Sequence, residues 1–344
     1  EKHMQYNIGL DVVLWRGLLR AEIDVYYKYI YDIIDAMGGE EPSSVGGYFP
    51  GLGNINKQDF RGFEVSLTHE NKVGDLKYSV NLTGSYTKGR WLRYSGDSPN
   101  TPDWKKVTGQ RIVAMQVLIA DGLFQSQEEI DNSPVLRAAE GNLRLGDIRY
   151  IDRNGDGIIS YEQDYGFVGK SSTPEFVGGL NVRAEWKGLD FFMRWQTGLG
   201  SDVALSGQYR SGVIDNTSFT RPFYNGGNSP KYLLERSWTP ENTEGEFPRL
   251  GLEIPAGNNN LWGSTFWIRN GNYLRMKELE VGYTIPKSIM SKVGISNLRF
   301  YVSGQNLLTF SKLDKYNIDP EAPSVNNGYY PQQRILSFGA KLTF

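Results

Sequence analysis

Apolar and polar residues alternate along most of this chain with a period of two, which places successive side chains on opposite faces of a strand. Leu76, Tyr78, Val80, Leu82, Gly84 and Tyr86 alternate with Lys77, Ser79, Asn81, Thr83 and Ser85. Leu19, Ala21, Ile23, Val25, Tyr27, Tyr29 and Tyr31 alternate with Arg20, Glu22, Asp24, Tyr26 and Lys28. The last segment runs Leu336, Phe338, Ala340, Leu342, Phe344 against Ser337, Gly339, Lys341 and Thr343. The pattern predicts strands over residues 5–14, 17–33, 57–69, 74–87, 174–186, 189–199, 270–285, 296–311 and 331–344. Arg111 to Ala120 is a candidate for one more. No 3.6-residue pattern of helical length accompanies them.

Several of these strands exceed the five or six residues usual in globular proteins, and reach the roughly 9–11 needed to cross a bilayer at a tilt of about 45°. Tyr26, Tyr27, Tyr29, Tyr31, Trp186 and Trp195 crowd strand ends, where an aromatic girdle would meet the membrane interface. The polar face carries Glu22, Asp24, Arg183 and Glu185, which a wet lumen tolerates and a dry sandwich core does not. Connections alternate strictly in length. Short turns fall near 14–18, 70–75, 187–189 and 286–296; long segments fill 34–56, 88–173, 200–265 and 312–330. Loops of that length are unusual in a compact soluble domain and normal on the extracellular side of an outer-membrane barrel. The expected fold is therefore all-β: an antiparallel transmembrane β-barrel portion of about nine strands, with 88–173 and 200–265 as long extracellular loops. A soluble all-β sandwich or propeller is the competing architecture.

Composition narrows the function. The chain has 344 residues, no cysteine and a formal net charge of −2. This excludes a disulfide scaffold, a thiol nucleophile and a default polyanion binder, so no nucleic acid is expected as a partner. No apolar run exceeds four residues, far short of the ~20 of a transmembrane helix. His3 and His69 are the only histidines and lack sequence-local partners, which argues against an outer-membrane enzyme built on a barrel rim. A soluble glycan-binding β module is the third functional class.

Nine strands beginning on the long-loop side do not make a complete barrel, since bacterial single-chain barrels have an even count. The expectation is a C-terminal portion of a larger barrel, because an open sheet edge in lipid leaves backbone groups unpaired.

Specific segments resemble a known family. Asn56-Lys57-Gln58-Asp59-Phe60-Arg61-Gly62-Phe63-Glu64, Asp121-Gly122-Leu123-Phe124-Gln125-Ser126 and Gly146-Asp147-Ile148-Arg149-Tyr150 are three of them. Trp238-Thr239-Pro240-Glu241-Asn242 with Phe247-Pro248-Arg249-Leu250 follows, and then Tyr273-Leu274-Arg275-Met276-Lys277 through Gly282-Tyr283-Thr284-Ile285-Pro286. Gln305-Asn306-Leu307-Leu308 and the terminal Ser337–Phe344 complete the series. In this order they resemble the C-terminal part of the β-barrel of SusC/RagA-type TonB-dependent outer-membrane transporters, over nearly the whole chain. The resemblance implies a barrel of about 22 strands around a plug. It also implies a SusD-like surface lipoprotein as lid, energy from TonB, and import of oligosaccharides or peptides in a Gram-negative, Bacteroidetes-like bacterium. Neither the plug nor a TonB box lies within these residues. The remaining barrel, the plug and outer-membrane lipid are thus expected partners.

One stretch carries metal chemistry. Residues 152–164 read DRNGDGIISYEQD. Asp152, Asn154 and Asp156 occupy positions 1, 3 and 5 of a calcium loop, Gly157 the sharp turn, Ile158 a backbone carbonyl position and Ser160 position 9. Position 12 is Gln163; Glu162 and Asp164 flank it and would have to shift by one residue to supply the missing carboxylate. A structural Ca²⁺ is the expected cofactor, and an ion-free Asx/Gly turn the alternative. Trp91, Trp104, Trp238 and Trp262 lie in the long segments, where aromatic faces could stack on sugars, meet a lid protein or pack the loops. Phe344, a terminal aromatic on an alternating strand, resembles the recognition signal for barrel assembly.

Overall fold

The computed structural model describes residues 1–36, 51–136, 143–205, 231–250, 259–322 and 332–344. Nine long strands form one antiparallel sheet in sequential order. They are β1 (Lys2–Leu14), β2 (Leu19–Ala36), β3 (Leu52–Val73), β4 (Leu76–Arg93), β5 (Phe176–Trp186), β6 (Leu189–Leu199), β7 (Tyr273–Thr284), β8 (Asn297–Ser311) and β9 (Ile335–Thr343). Each corresponds to a predicted strand, so the nine-strand barrel portion is the observed fold. The candidate at Arg111 to Ala120 contributes only a short strand, Met115–Val117, paired with Gly166–Val168 outside the main sheet.

Register fixes the two faces. Ala21, Leu67, Leu82, Leu180, Trp195, Met276 and Leu308 stand directly opposite one another across seven neighbouring strands. The next rung is Glu22, Ser66, Thr83, Gly179, Gln196, Arg275 and Thr309. A slip of one residue would turn a strand's polar positions toward lipid, so the apolar outer face specifies the register. Against β6 Lys277 is the extra residue of a bulge; against β8 it faces two residues, Asn306 and Leu307, and the outward parity is kept across both ladders.

The apolar face has a definite height. Val73 and Leu76 flank the turn between β3 and β4. Phe63 and Tyr86 stand ~10 residues above it; at about 3.3 Å per residue and a tilt of about 45° that is a rise of about 23 Å. Val25 on β2 and Phe176 on β5 stand on the same rung. Trp186 and Leu189 close the lower edge. An apolar band of about 25 Å between aromatic girdles is what a bilayer requires.

At the short-turn end, Lys187 and Gly188 both take positive φ (47° and 90°), the twist-matched two-residue hairpin. His69 bonds the Leu18 carbonyl (2.8 Å) and the Tyr78 hydroxyl (3.0 Å), bracing two hairpins in place of any catalytic use. The predicted short turn at 286–296 instead holds a helix, Lys287–Met290, continued by a 3₁₀ turn that ends on Gly294 at φ 72°.

The long connections differ most from expectation. The described parts of those connections, within 94–175, 200–272 and 312–334, pack against each other into a cap with its own core. Leu118, Ile148 and Tyr150 come from the first, Leu205, Leu233, Phe247 and Trp267 from the second, and Leu313, Tyr316 and Ile318 from the third. Strands of two to four residues lock them locally, such as Val135–Leu136 parallel to Ile158–Ile159. Elements this short leave no legible period in a sequence.

Candidate functional site

The cap and the polar sheet face beneath it are the candidate site, and the family-like motifs mark where the two join. Gly146 takes φ +81° directly under Trp238, where a Cβ would overlap the indole. Asp147, 1 % exposed, accepts from Arg249 Nε (2.8 Å), Asn260 Nδ2 (2.9 Å) and the Arg144 amide (2.9 Å). Asn260 in turn accepts from the Ile148 amide, and Tyr150 donates to the Asn259 carbonyl (2.6 Å). One buried carboxylate, with its oxygens engaged by these donors, thus fastens the first connection to the second and rigidifies its surroundings.

Glu246 ties the second connection to the third. It accepts from Lys315 (2.7 Å) and the Tyr316 hydroxyl, with Arg236 and Arg269 each 3.7 Å away. Burial pushes its carboxyl upward, but hydrogen bonds from Lys315 and Tyr316 and the charges of Lys315 and Arg269 outweigh this and hold it below the usual carboxylate range. A depressed carboxylate stabilises the fold above its unfolded pKa, and this contribution is lost as pH falls through the folded value. Hydrogen-exchange protection of residues 313–318 is therefore expected to fall as acidification carries pH through that lowered value. Glu246→Gln should abolish that dependence while lowering protection at neutral pH.

The third connection is also bolted to the sheet. Arg275, on the polar face of β7 and 3 % exposed, donates to Asp319 (2.8 Å), Thr309 (3.0 Å), Gln332 (2.6 Å) and Glu321. Lys277, freed by the bulge, reaches Glu321 at 3.2 Å. At the opposite rim Asn56, 1 % exposed, donates to Asp35 (2.6 Å) and accepts from the Ser95 amide (2.7 Å). Lower on the polar face Arg299 crosses Gly282 to reach Asp190 (2.9 Å) and Glu280 (2.6 Å). A side chain at Gly282 would occupy the space of that guanidinium. The sequence gives no sign of the partners of Arg275 and Arg299, which are distant in the chain, and the bulge at Lys277 is what turns Arg275 to the polar face.

In the 152–164 loop the Asp152 carboxylate accepts from the Gly155 (2.7 Å) and Gly157 (2.8 Å) amides. Asn154 accepts from the Asp156 amide, and Asp156 from the Ile158 amide. Ser160 caps the helix Tyr161–Asp164. Asp164 is fully buried and turns back to the Arg153 (2.9 Å) and Ser160 (2.8 Å) amides, while Glu162 points to solvent. Among the described residues no three carboxylate or histidine groups converge in a way that would hold a metal ion. The donors that fit a Ca²⁺ are three side-chain oxygens and the Ile158 carbonyl, fewer than the six to eight it takes, so water would have to complete the shell.

Of the four tryptophans in the long segments only Trp238 is buried; Trp91, Trp104 and Trp262 are half-buried. Trp238 is 8 % exposed and donates to Gln125 (3.0 Å). Trp262 stacks on Tyr150 with ring centroids 6.0 Å apart. Trp104 lies under the Arg153 guanidinium at 5.2 Å. Trp238 is thereby a packing element of the cap, while Trp104 and Trp262 stay half-buried with these contacts to their rings. Trp91, near the top of β4, is half-buried and meets Tyr94 edge-on at 5.3 Å. Phe344 stands 84 % exposed at the foot of β9.

An apolar band of membrane height, a polar inner face and an ordered cap over the long-loop end define an outer-membrane β-barrel wall. No family model matches the chain. It is 28 % identical over 364 residues to TonB-dependent receptor P26 of Formosa agariphila, covering 98 % of this chain and 34 % of that protein. TonB-dependent receptor P3 of the same organism is 26 % identical over 371 residues, covering 100 % and 34 %. A solved structure of the RagAB peptide transporter superposes with TM-score 0.64 at 22 % identity, over 99 % of this chain and 35 % of the other. The RagAB peptide importer in its open-open state gives 0.66 at 21 %, over 99 % and 34 %. The chain therefore spans about a third of the length of the relatives it matches. The resemblance read from the motifs holds: this is a relative of TonB-dependent receptors with the barrel fold of RagA-type transporters, located in the outer membrane. These relatives are receptors and transporters, not enzymes.

Proposed function

We propose that this chain supplies barrel wall and extracellular cap to a TonB-dependent importer that carries peptides or oligosaccharides across the outer membrane. The single observation behind this reading is the pairing of a polar inner face with a cap bolted onto it by Arg275 and Lys277. An ordered cover over a polar interior suits an importer that captures a solute before passage. The relatives solved as peptide transporters favour peptides over oligosaccharides. The rest of the barrel, a plug, TonB and a SusD-like lipoprotein lid complete the machine on this reading, and Phe344 serves as the assembly signal. Trp91, half-buried at the top of β4, is the tryptophan we assign to contact with a lid or solute. The test is growth of a deletion strain on defined peptide mixtures and on oligosaccharides, with the intact gene restored as control. A peptide-specific defect is the expected result; unaltered uptake of every candidate would overturn import.

Ca²⁺ is proposed as a weak structural ligand of Asp152, Asn154, Asp156 and the Ile158 carbonyl, pinning the first connection. Affinity in the 10⁻⁴–10⁻³ M range of extracellular calcium modules is expected. Titration of the chelated, intact protein should release or absorb heat and raise its melting temperature. Asp152→Asn should remove both effects, and neither heat nor a melting shift in the parent protein would sink the idea.

A further inference from the structure

The outward face of β3 and β4 changes chemistry at one height. Phe63 and Tyr86 pair at the top of the apolar band; the next outward rung is Arg61 opposite Lys88, and the next is Asp59 opposite Arg90. At ~12 residues above the turn, Arg61 and Lys88 sit about 28 Å up, just beyond an apolar layer of about 25 Å. Two cations directly opposed across an antiparallel pair repel. Asp59 offsets only part of this charge. It bonds Arg61 and Arg90 and is itself fully buried by them, so its oxygens are used up. Lys88 makes no ion pair among the described residues. Arg61 keeps 51 % of its side chain exposed while its guanidinium lies 5.9 Å from the Tyr27 ring. Above them Lys57 pairs in register with Arg93, and the neighbouring Arg111 is already matched by Glu175 at 2.9 Å. The outer surface here holds Arg61, Lys88 and Arg90 around one carboxylate, beside the tyrosines Tyr6 and Tyr27 of the same rung.

We propose that Arg61, Lys88 and Arg90 form a binding site for a phosphate group on an outer-leaflet lipid headgroup. The height commits the site to a lipid: the flanking aromatic rung places the acyl boundary directly below it, and a guanidinium presents forked donors suited to a phosphate. Asp59 holds the two arginines splayed and leaves their outer N–H groups free for the anion. Bound lipid would relieve the repulsion between Arg61 and Lys88 and fasten this part of the wall to the membrane surface. The inference rests on the assignment of outward and inward faces, which has its own test at Leu82.

The test is retention of added lipid by the intact, detergent-purified protein in native mass spectrometry. The probes are diphosphorylated lipid A, its dephosphorylated form and inorganic phosphate. Diphosphorylated lipid A should be retained over the dephosphorylated form. Lys88→Gln, which leaves the Asp59 cluster untouched, should weaken retention about fivefold, the loss of one surface cation. The combined Asp59→Asn, Arg61→Gln, Arg90→Gln variant, which strands no buried charge, should weaken it further. Equal retention of both lipids, unchanged retention by Lys88→Gln, or displacement by an equimolar amount of inorganic phosphate would each overturn the proposal. Failure here with normal behaviour at Leu82 would leave the barrel assignment standing.

Discussion

Replacing Leu82 by arginine is expected to cost about 2–4 kcal/mol of barrel stability, the penalty for a cation at the bilayer midplane of an outer-membrane barrel. Leu82 lies ~6 residues above the turn at Leu76, halfway up the apolar band, on the rung of Leu67 and Leu180. Neither neighbour offers a counter-charge, and the snorkelling distance to either interface is maximal there. Thr83→Arg is the matched control one residue along. Thr83 faces a concavity it shares with Glu22, Asp24 and Glu64, so the new cation meets water and carboxylates. In heat-modifiable gel migration of the intact protein, Leu82→Arg should shift the unfolding temperature down and reduce the folded fraction, while Thr83→Arg should behave close to wild type. Equal tolerance of both would mean that the alternating faces do not separate lipid from lumen.

That contrast depends on information the sequence carried plainly. Period-two alternation is a local property, so residues such as Leu76 to Tyr86 reveal their two faces without knowledge of any partner strand. Strand ends were less legible. Alternation continues to Arg93 on β4, but Lys88 and Arg90 stand on the apolar parity, where a period reading that equates parity with polarity stops. The change marks the membrane boundary and not the end of the strand. The cap was hidden for a different reason. Its core joins Leu118, Phe247 and Tyr316 across nearly two hundred residues through elements too short to show a period. The site residues follow the same division. The oxygens of residues 152–156 were readable because their spacing is local, and so was the departure at position 12. The roles of Asp147 and Glu246 were not, because each gains its meaning from partners such as Arg249 and Lys315 that only the folded cap brings near.

Arg275 is where the cap depends most on a single side chain. Its guanidinium is almost completely withdrawn from water and faces Asp319 and Glu321, each about 15 % exposed in its side chain. Arg275→Met keeps the stem's packing and removes the charge, leaving two desolvated carboxylates with Lys277 alone. Removing one partner of a buried ion pair costs about 3–5 kcal/mol, mostly the penalty of the charge left behind. The strain falls on the third connection, because β7 is held by two full ladders and the 312–322 segment is not. Hydrogen exchange should therefore accelerate in 312–322 with little change along β7 and β8. Adding Asp319→Asn and Glu321→Gln to Arg275→Met removes the stranded charges, and the triple variant should recover much of the lost protection. That recovery is the decisive measurement: it requires the single substitution to act through uncompensated charge. Triple and single variants with the same exchange rates would mean instead that the cap is held by its hydrophobic core, with Arg275 a passenger.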